Sequence, residues 1–197
     1  MEKHEHLSKE MQLLARKVQF LDGAKRIKAL PPEELLNMLF IKKIFNILDL
    51  GAGTGYLTIP AAKMIDGLVY ALDIDSKMLE IIDSKAKEQN ASNIKLIESG
   101  TDNVPLPDGS IDIVLASLIL HEVRPLSETI FQINRVLKEG GQFMCLEYEK
   151  TDSAADGPPL HIRVSSSVME RELKNIGLSV THKVFLKDSL YVIIAKK

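Results

Sequence analysis

The chain has 197 residues, with 25 Lys and Arg against 27 Asp and Glu, and a formal net charge of −2. That balance excludes a bulk attraction to nucleic acid or to an anionic membrane surface, and the length suits a single domain. Cys145 is the one cysteine, which excludes a disulfide framework and a multi-cysteine metal site and fits a reducing cytoplasm.

The opening MEKHEHLSKE is charged and lacks the apolar stretch of a secretory leader. Residues 1–43 read as helical, with Leu14, Val18 and Leu21 on one stripe and Pro31-Pro32 opening PPEELLNML. This segment is expected either to pack as a cap or to act as a helical lid over the strand ends of a domain at 44–197. NILDL (46–50) reads as a strand, Tyr56 to Asp66 as a helix ending at Gly67, and LVYALD (68–73) as a second strand. Ser76 is placed to cap a helix running to about Lys87, with Leu79, Ile82 and Ala86 on one face. NIKLIE (93–98) and IDIVLASLIL (111–120) read as strands; the apolar run within the latter is too short to span a bilayer. Leu126, Ile130, Ile133 and Leu137 mark a helix that stops at Gly140-Gly141. QFMCLEYE (142–149) is a further strand, and Ser167 and Glu170 have capping-box spacing for a helix ending near Gly177. LSVTHKVFL and LYVIIAK close the sequence as an antiparallel pair. Strands alternating with helices predict an α/β, Rossmann-like sheet of seven mostly parallel strands. One strand near the C-terminus is antiparallel, and helices cover both faces.

ILDLGAGTGYL (47–57) places Gly51, Gly53 and Gly55 directly after an apolar run that contains Asp49. Such a cluster points to close approach of something to the backbone. A dinucleotide fingerprint needs G-x-G-x-x-G, but its last position here is Tyr56. A P-loop needs Lys-Ser/Thr after its final glycine, and none follows. The second strand ends in Asp73, 22 residues after Gly51, where a carboxylate suits a ribose diol. The loop therefore looks built for a nucleoside without a pyrophosphate.

D-L-G-x-G-x-G on the first strand followed by VYALDID on the second resembles the class I S-adenosylmethionine-dependent methyltransferases. VPLPDGSIDIVLASLILHEV (104–123) is similar to the loop and fourth strand of their small-molecule branch, which includes the ubiquinone/menaquinone C-methyltransferases. The resemblance implies S-adenosylmethionine as cofactor. It implies that Asp49 and the backbone of Gly51, Ala52, Gly53 and Gly55 hold the methionine end. Asp73 would take the ribose hydroxyls and Ile74 would pack on the adenine, while Met78 belongs to a helix core. Many relatives carry an Asp for the adenine amino group where Gly100 stands here. Asp102 or a backbone amide is expected to stand in, with Thr101 and Asn103 close by. Ser117 falls near the methyl-bearing sulfur.

His121 follows the fourth strand, and its reference pKa near neutrality suits either a general base or a packing histidine. Alternation places Glu147 and Glu149 on one side of their strand and Tyr148 on the other. One of the three faces the acceptor, and His121 and Tyr148 are the catalytic candidates. His161 and Arg163 lie in the long loop after that strand, a length often associated with function. Asp22 and Arg26 lie before the first strand, where an Arg has the reach to meet the cofactor carboxylate. No metal cluster is expected. The expected partner is a small-molecule methyl acceptor, not nucleic acid or a membrane, with a homodimer possible. A non-catalytic S-adenosylmethionine-binding module is the alternative; a nicotinamide-dependent oxidoreductase is disfavoured by the glycine spacing.

Overall fold

The computed structural model describes residues 2–151, 157–186 and 189–197, apart from the side chains of residues 2–10, 20, 25, 26 and 29. The chain begins with helices α1 (Glu2–Leu21), α2 (Ala24–Ala29) and α3 (Pro32–Leu36). The alternating part follows as β1 (Ile47–Leu50), α4 (Thr58–Met64), β2 (Val69–Asp73), α5 (Ser76–Glu88), β3 (Ile94–Glu98) and β4 (Ile111–Ser117). It closes with α6 (Leu126–Val136), β5 (Leu137–Tyr148), α7 (Ser166–Asn175), β6 (Ser179–Phe185) and β7 (Leu190–Lys196).

The strands form one seven-stranded sheet in the order β3-β2-β1-β4-β5-β7-β6. The pairs among β1 to β5 are parallel, and β7 runs antiparallel to both β5 and β6. A single strand against the common direction is what the sequence pattern predicts. The order reverses between β1 and β4, which opens a crevice at their carboxyl ends.

Alternation along the buried strands divides the core in two. Val114, Ala116, Phe143 and Cys145 pack with Ile130, Ile133 and Leu173 under α6 and α7. Ile47, Ile113, Leu115 and Met144 pack on the other face with Leu35, Leu36 and Ala61 from α3 and α4. α5 extends that second face through Ile82 and Leu79, which meet Ala71.

Several element boundaries differ from the sequence pattern. α5 is capped by Asp75 rather than Ser76: the Asp75 carboxylate accepts the Lys77 N–H at 3.1 Å. α7 is capped at Ser165, two residues before the expected cap, because Ser165 accepts from the Val168 N–H and the Glu149 carboxylate accepts from the Ser166 N–H at 3.1 Å. α4 runs only from Thr58 to Met64, since the glycine turn continues past Tyr56. β4 stops at Ser117, where Leu118 turns left-handed with φ +57°. α6 ends at Val136, and Leu137 already belongs to β5. Gly140 and Gly141 therefore do not stop a helix; they lie at an irregular start of β5, with Gly140 at φ +77°.

Asn93 ties the far end of α4 to the sheet. Its Nδ2 donates to the carbonyls of Ala62, Ile65 and Gly67 at 3.1, 3.1 and 2.9 Å. Replacing it leaves carbonyls at a helix end without a donor. Asn93→Ala is expected to lower the unfolding free energy by about 1–3 kcal/mol, read as a lower urea midpoint with an unchanged slope.

Candidate functional site

The chain leaves β1 through a turn in which Gly51, Gly53 and Gly55 take φ of +69°, +55° and +85°. Side chains rarely adopt this left-handed region. The end of β2 holds the turn in place: the Leu72 carbonyl accepts the N–H groups of Gly51 and Ala52 at 2.8 and 2.9 Å. Asp73 completes the clamp, its Oδ2 accepting from the Gly53 N–H at 2.8 Å and its Oδ1 from the Asp75 N–H at 2.9 Å. Close packing adds a second demand on Gly51. A Cβ there would stand 2.4 Å from Cγ1 of Ile119.

One side of this turn is a small cavity of about 30 Å³ lined by Asp49, Gly51, Gly53, Leu57 and Ser117 together with Leu21. Asp49 is buried, and its Oδ2 accepts from the Thr58 hydroxyl at 2.5 Å. Burial raises its pKa to about 6, the Thr58 hydrogen bonds opposing and the charge of Asp73 adding to the rise. The Ser117 hydroxyl oxygen is the buried side-chain polar atom without a partner among the described residues. An ionisable acid and an orphaned hydroxyl in one cavity await a polar ligand.

The segment above this cavity is pinned. The Asp22 carboxylate accepts from the Thr54 hydroxyl at 2.7 Å and from Lys85 Nζ at 2.8 Å, and Lys85 also donates to the Thr54 carbonyl at 2.8 Å. Asp22 thus faces the glycine turn. The side chain of Arg26 lies outside the described residues.

On the other side of Gly51 lies a larger cavity of about 240 Å³, lined by Asp73, Ile74, Gly100, Thr101, Asp102 and Glu122 among others. Ile74 is 77% exposed and forms an apolar rim. Thr101 is held by a hydroxyl contact of 2.9 Å to Thr129. The Asp102 carboxylate comes close to Gly100, within 2.5 Å of where a Cβ would stand. Asn103 does not line this cavity; its N–H donates to the Gly100 carbonyl at 3.3 Å and its carbonyl accepts from Ser99 Oγ at 2.7 Å. Met78 is fully buried in the core.

At the ends of β4 and β5 the structure joins two residues far apart in sequence. Glu147 is completely buried on the α6/α7 side of the sheet. Its Oε1 accepts from the Leu120 N–H at 2.7 Å and the His121 N–H at 3.4 Å, and its Oε2 meets His121 Nδ1 at 2.8 Å. Burial works against the imidazolium of His121. The hydrogen bond and charge of Glu147, helped by Glu122, outweigh that penalty and Arg124 nearby, so the His121 pKa lies above its ordinary value. Tyr148 points to the opposite side, its ring beneath the Arg163 guanidinium at 5.3 Å. Arg163 is buried, whereas His161 is exposed. Among the described residues, no group of three or more His, Cys, Asp or Glu side chains is arranged to hold a metal ion.

The sequence does not disclose the Glu147–His121 pair or the Asp22–Thr54–Lys85 clamp. Glu147, an acid directly after the apolar run FMCL, is the one local signal for the former, because a buried carboxylate needs donors.

A crevice at the sheet's switch point, a glycine turn without a phosphate-binding pattern, and acids ending β1 and β2 together define a methyltransferase-type Rossmann-like domain. Residues 48–145 match the family model described as a methyltransferase domain, and the chain belongs to this S-adenosylmethionine-dependent methyltransferase family. It is 33% identical over 117 residues to a demethylmenaquinone methyltransferase of a Geobacillus species, covering 58% of this chain and 50% of that protein. It is 31% identical over 110 residues to a ubiquinone/menaquinone biosynthesis C-methyltransferase of a Marinomonas species, covering 54% of this chain and 44% of that protein. The chain thus spans about half the length of the curated relatives it matches. In fold it is similar to a SAM-dependent methyltransferase of Aquifex aeolicus, with a TM-score of 0.84 and 24% identity over 92% of this chain and 97% of that one. S-adenosylmethionine is the cofactor this family implies. The unpartnered Ser117 hydroxyl beside Asp49, and Asp73 at the mouth of the larger cavity, fit its amino-acid and ribose ends.

The raised pKa of Asp49 has a stability consequence. The unfolded chain loses the Asp49 proton near pH 3.8 and the folded chain near pH 6, so stability falls as pH rises through that window. Asp49→Asn removes this cost. Above pH 6 the ligand-free variant is expected to be more stable than wild type by about 1–3 kcal/mol, while below pH 4 the two converge. Urea midpoints measured across this range check it.

Proposed function

We propose that this chain transfers a methyl group from S-adenosylmethionine to a small-molecule acceptor. The observation that carries this reading is the orphaned Ser117 hydroxyl beside the buried Asp49, at one end of a crevice whose other end carries Asp73. When bound, the cofactor supplies a methyl on a sulfonium, which a nucleophile displaces in line.

The chain's own residues bind and orient. Asp49 and Ser117, with the backbone of Gly51, Ala52, Gly53 and Gly55, hold the amino-acid end, and the ammonium draws Asp49 into its ionised form. Each Asp73 oxygen already accepts one N–H and keeps a second lone pair for a ribose hydroxyl. Ile74, Thr101 and Asp102 form the adenine wall, with Asp102 replacing the acid missing at Gly100. Tyr148 and Arg163 stack on the other side of β5 from His121. His121 takes the proton that an acceptor hydroxyl releases during attack.

Relatives named for demethylmenaquinone make a hydroquinone ring the first acceptor to test. Its hydroxyl ionises and its ring carbon becomes nucleophilic, which matches a site with one base and no metal cluster among the described residues. The single thiol, Cys145, is buried, which suits the cytoplasm as the compartment.

Calorimetric titration tests this. S-adenosylmethionine is expected to bind at micromolar concentration, with binding lost in Asp73→Ala and no heat from NADH. Binding of NADH alone would overturn the reading. Cofactor binding without transfer to any hydroquinone or phenol would instead identify a non-catalytic S-adenosylmethionine-binding module.

A further inference from the structure

We propose that Glu147 is a positioning residue that holds the His121 imidazole in the tautomer with its proton on Nδ1, leaving Nε2 as the proton acceptor of methyl transfer. The inference rests on the role given to His121 above and assigns what sets it.

Glu147 sits fully buried near the end of β5, where an isolated carboxylate would be strongly disfavoured. Three N–H donors meet its two oxygens: the backbone groups of Leu120 and His121 on Oε1, and Nδ1 of the ring on Oε2 at 2.8 Å. An ionised carboxylate accepts only, so Nδ1 must carry the hydrogen. Nε2 is then bare in the neutral ring. That nitrogen lies 3.8 Å from an oxygen of Glu122, which lines the nucleoside-side cavity. The charged groups facing the ring are Glu147 from β5, and Glu122 and Arg124 from the chain after β4. Arg124 donates to the His121 carbonyl at 3.2 Å. In the transfer step the acceptor gains the methyl and loses one hydroxyl proton to Nε2. The imidazolium so formed faces Glu147 and returns its proton to water.

Glu147→Gln separates this role from simple support. Its carbonyl oxygen keeps accepting from the Leu120 and His121 N–H groups, but its amide donates toward Nδ1. The ring must answer as an acceptor there, which moves its hydrogen to Nε2. Nitrogen NMR of histidine-labelled protein reads the tautomer without any acceptor present. The expected result is an Nδ1–H ring in wild type and an Nε2–H ring in Glu147→Gln. The affinity for S-adenosylhomocysteine should stay within about threefold, while transfer to a dihydroxynaphthalene falls about 100-fold and loses its acid-side pH dependence. An Nε2–H ring in wild type would overturn the assignment, as would wild-type transfer by a variant with the inverted tautomer. Absence of transfer in wild type would count against the proposed activity, and the NMR result would still decide the positioning of His121.

Discussion

The end of β2 fixes the glycine turn, and the rest of the site depends on that clamp. The Leu72 carbonyl and the Asp73 carboxylate together take three successive N–H groups, from Gly51, Ala52 and Gly53. A chain leaving a parallel strand must satisfy those donors or lose their hydrogen bonds. Here a neighbouring strand satisfies them, so the turn is tied to the end of β2. Asp49 and Ser117 are thereby kept on one side of Gly51, and Asp73 and Thr101 on the other. The three left-handed glycines are the local condition for this path.

The two buried carboxylates are provisioned differently. Glu147 receives three donors from the chain after β4. Among the described residues Asp49 receives its hydrogen bonds from Thr58, and burial raises its pKa. A saturated carboxylate organises its surroundings; an under-supplied one is poised for an external cation. They also project to opposite faces of the sheet, as strand alternation requires. One acid thus lines a cavity and the other is enclosed by the chain after β4.

The strand and helix alternation was legible because buried parallel strands are continuous apolar runs and the helices carry one apolar stripe. Boundaries were less legible wherever a distant partner decided them. Ser167 has the spacing of a cap, yet Glu149, just past β5, and Ser165 set the start of α7. Leu137 continues the helical stripe of α6, yet pairing with Ile111 draws it into β5. The glycine turn, Asp49 and Asp73 were visible as a pattern because a local backbone demand selects them. The donors to Glu147 come from residues 26 and 27 positions away, and no local pattern encodes such a pairing.

Leu118 is the point where β4 leaves the sheet, with a left-handed backbone that a leucine rarely accepts. Its two neighbours beyond part company. Ile119 lies against Gly51, and Leu120 turns back to give its N–H to Glu147. One residue therefore joins the floor of the nucleotide crevice to the imidazole of His121 by a path of two peptide units. The residue packed on Gly51 and the residue clamped to Glu147 are therefore neighbours in the chain.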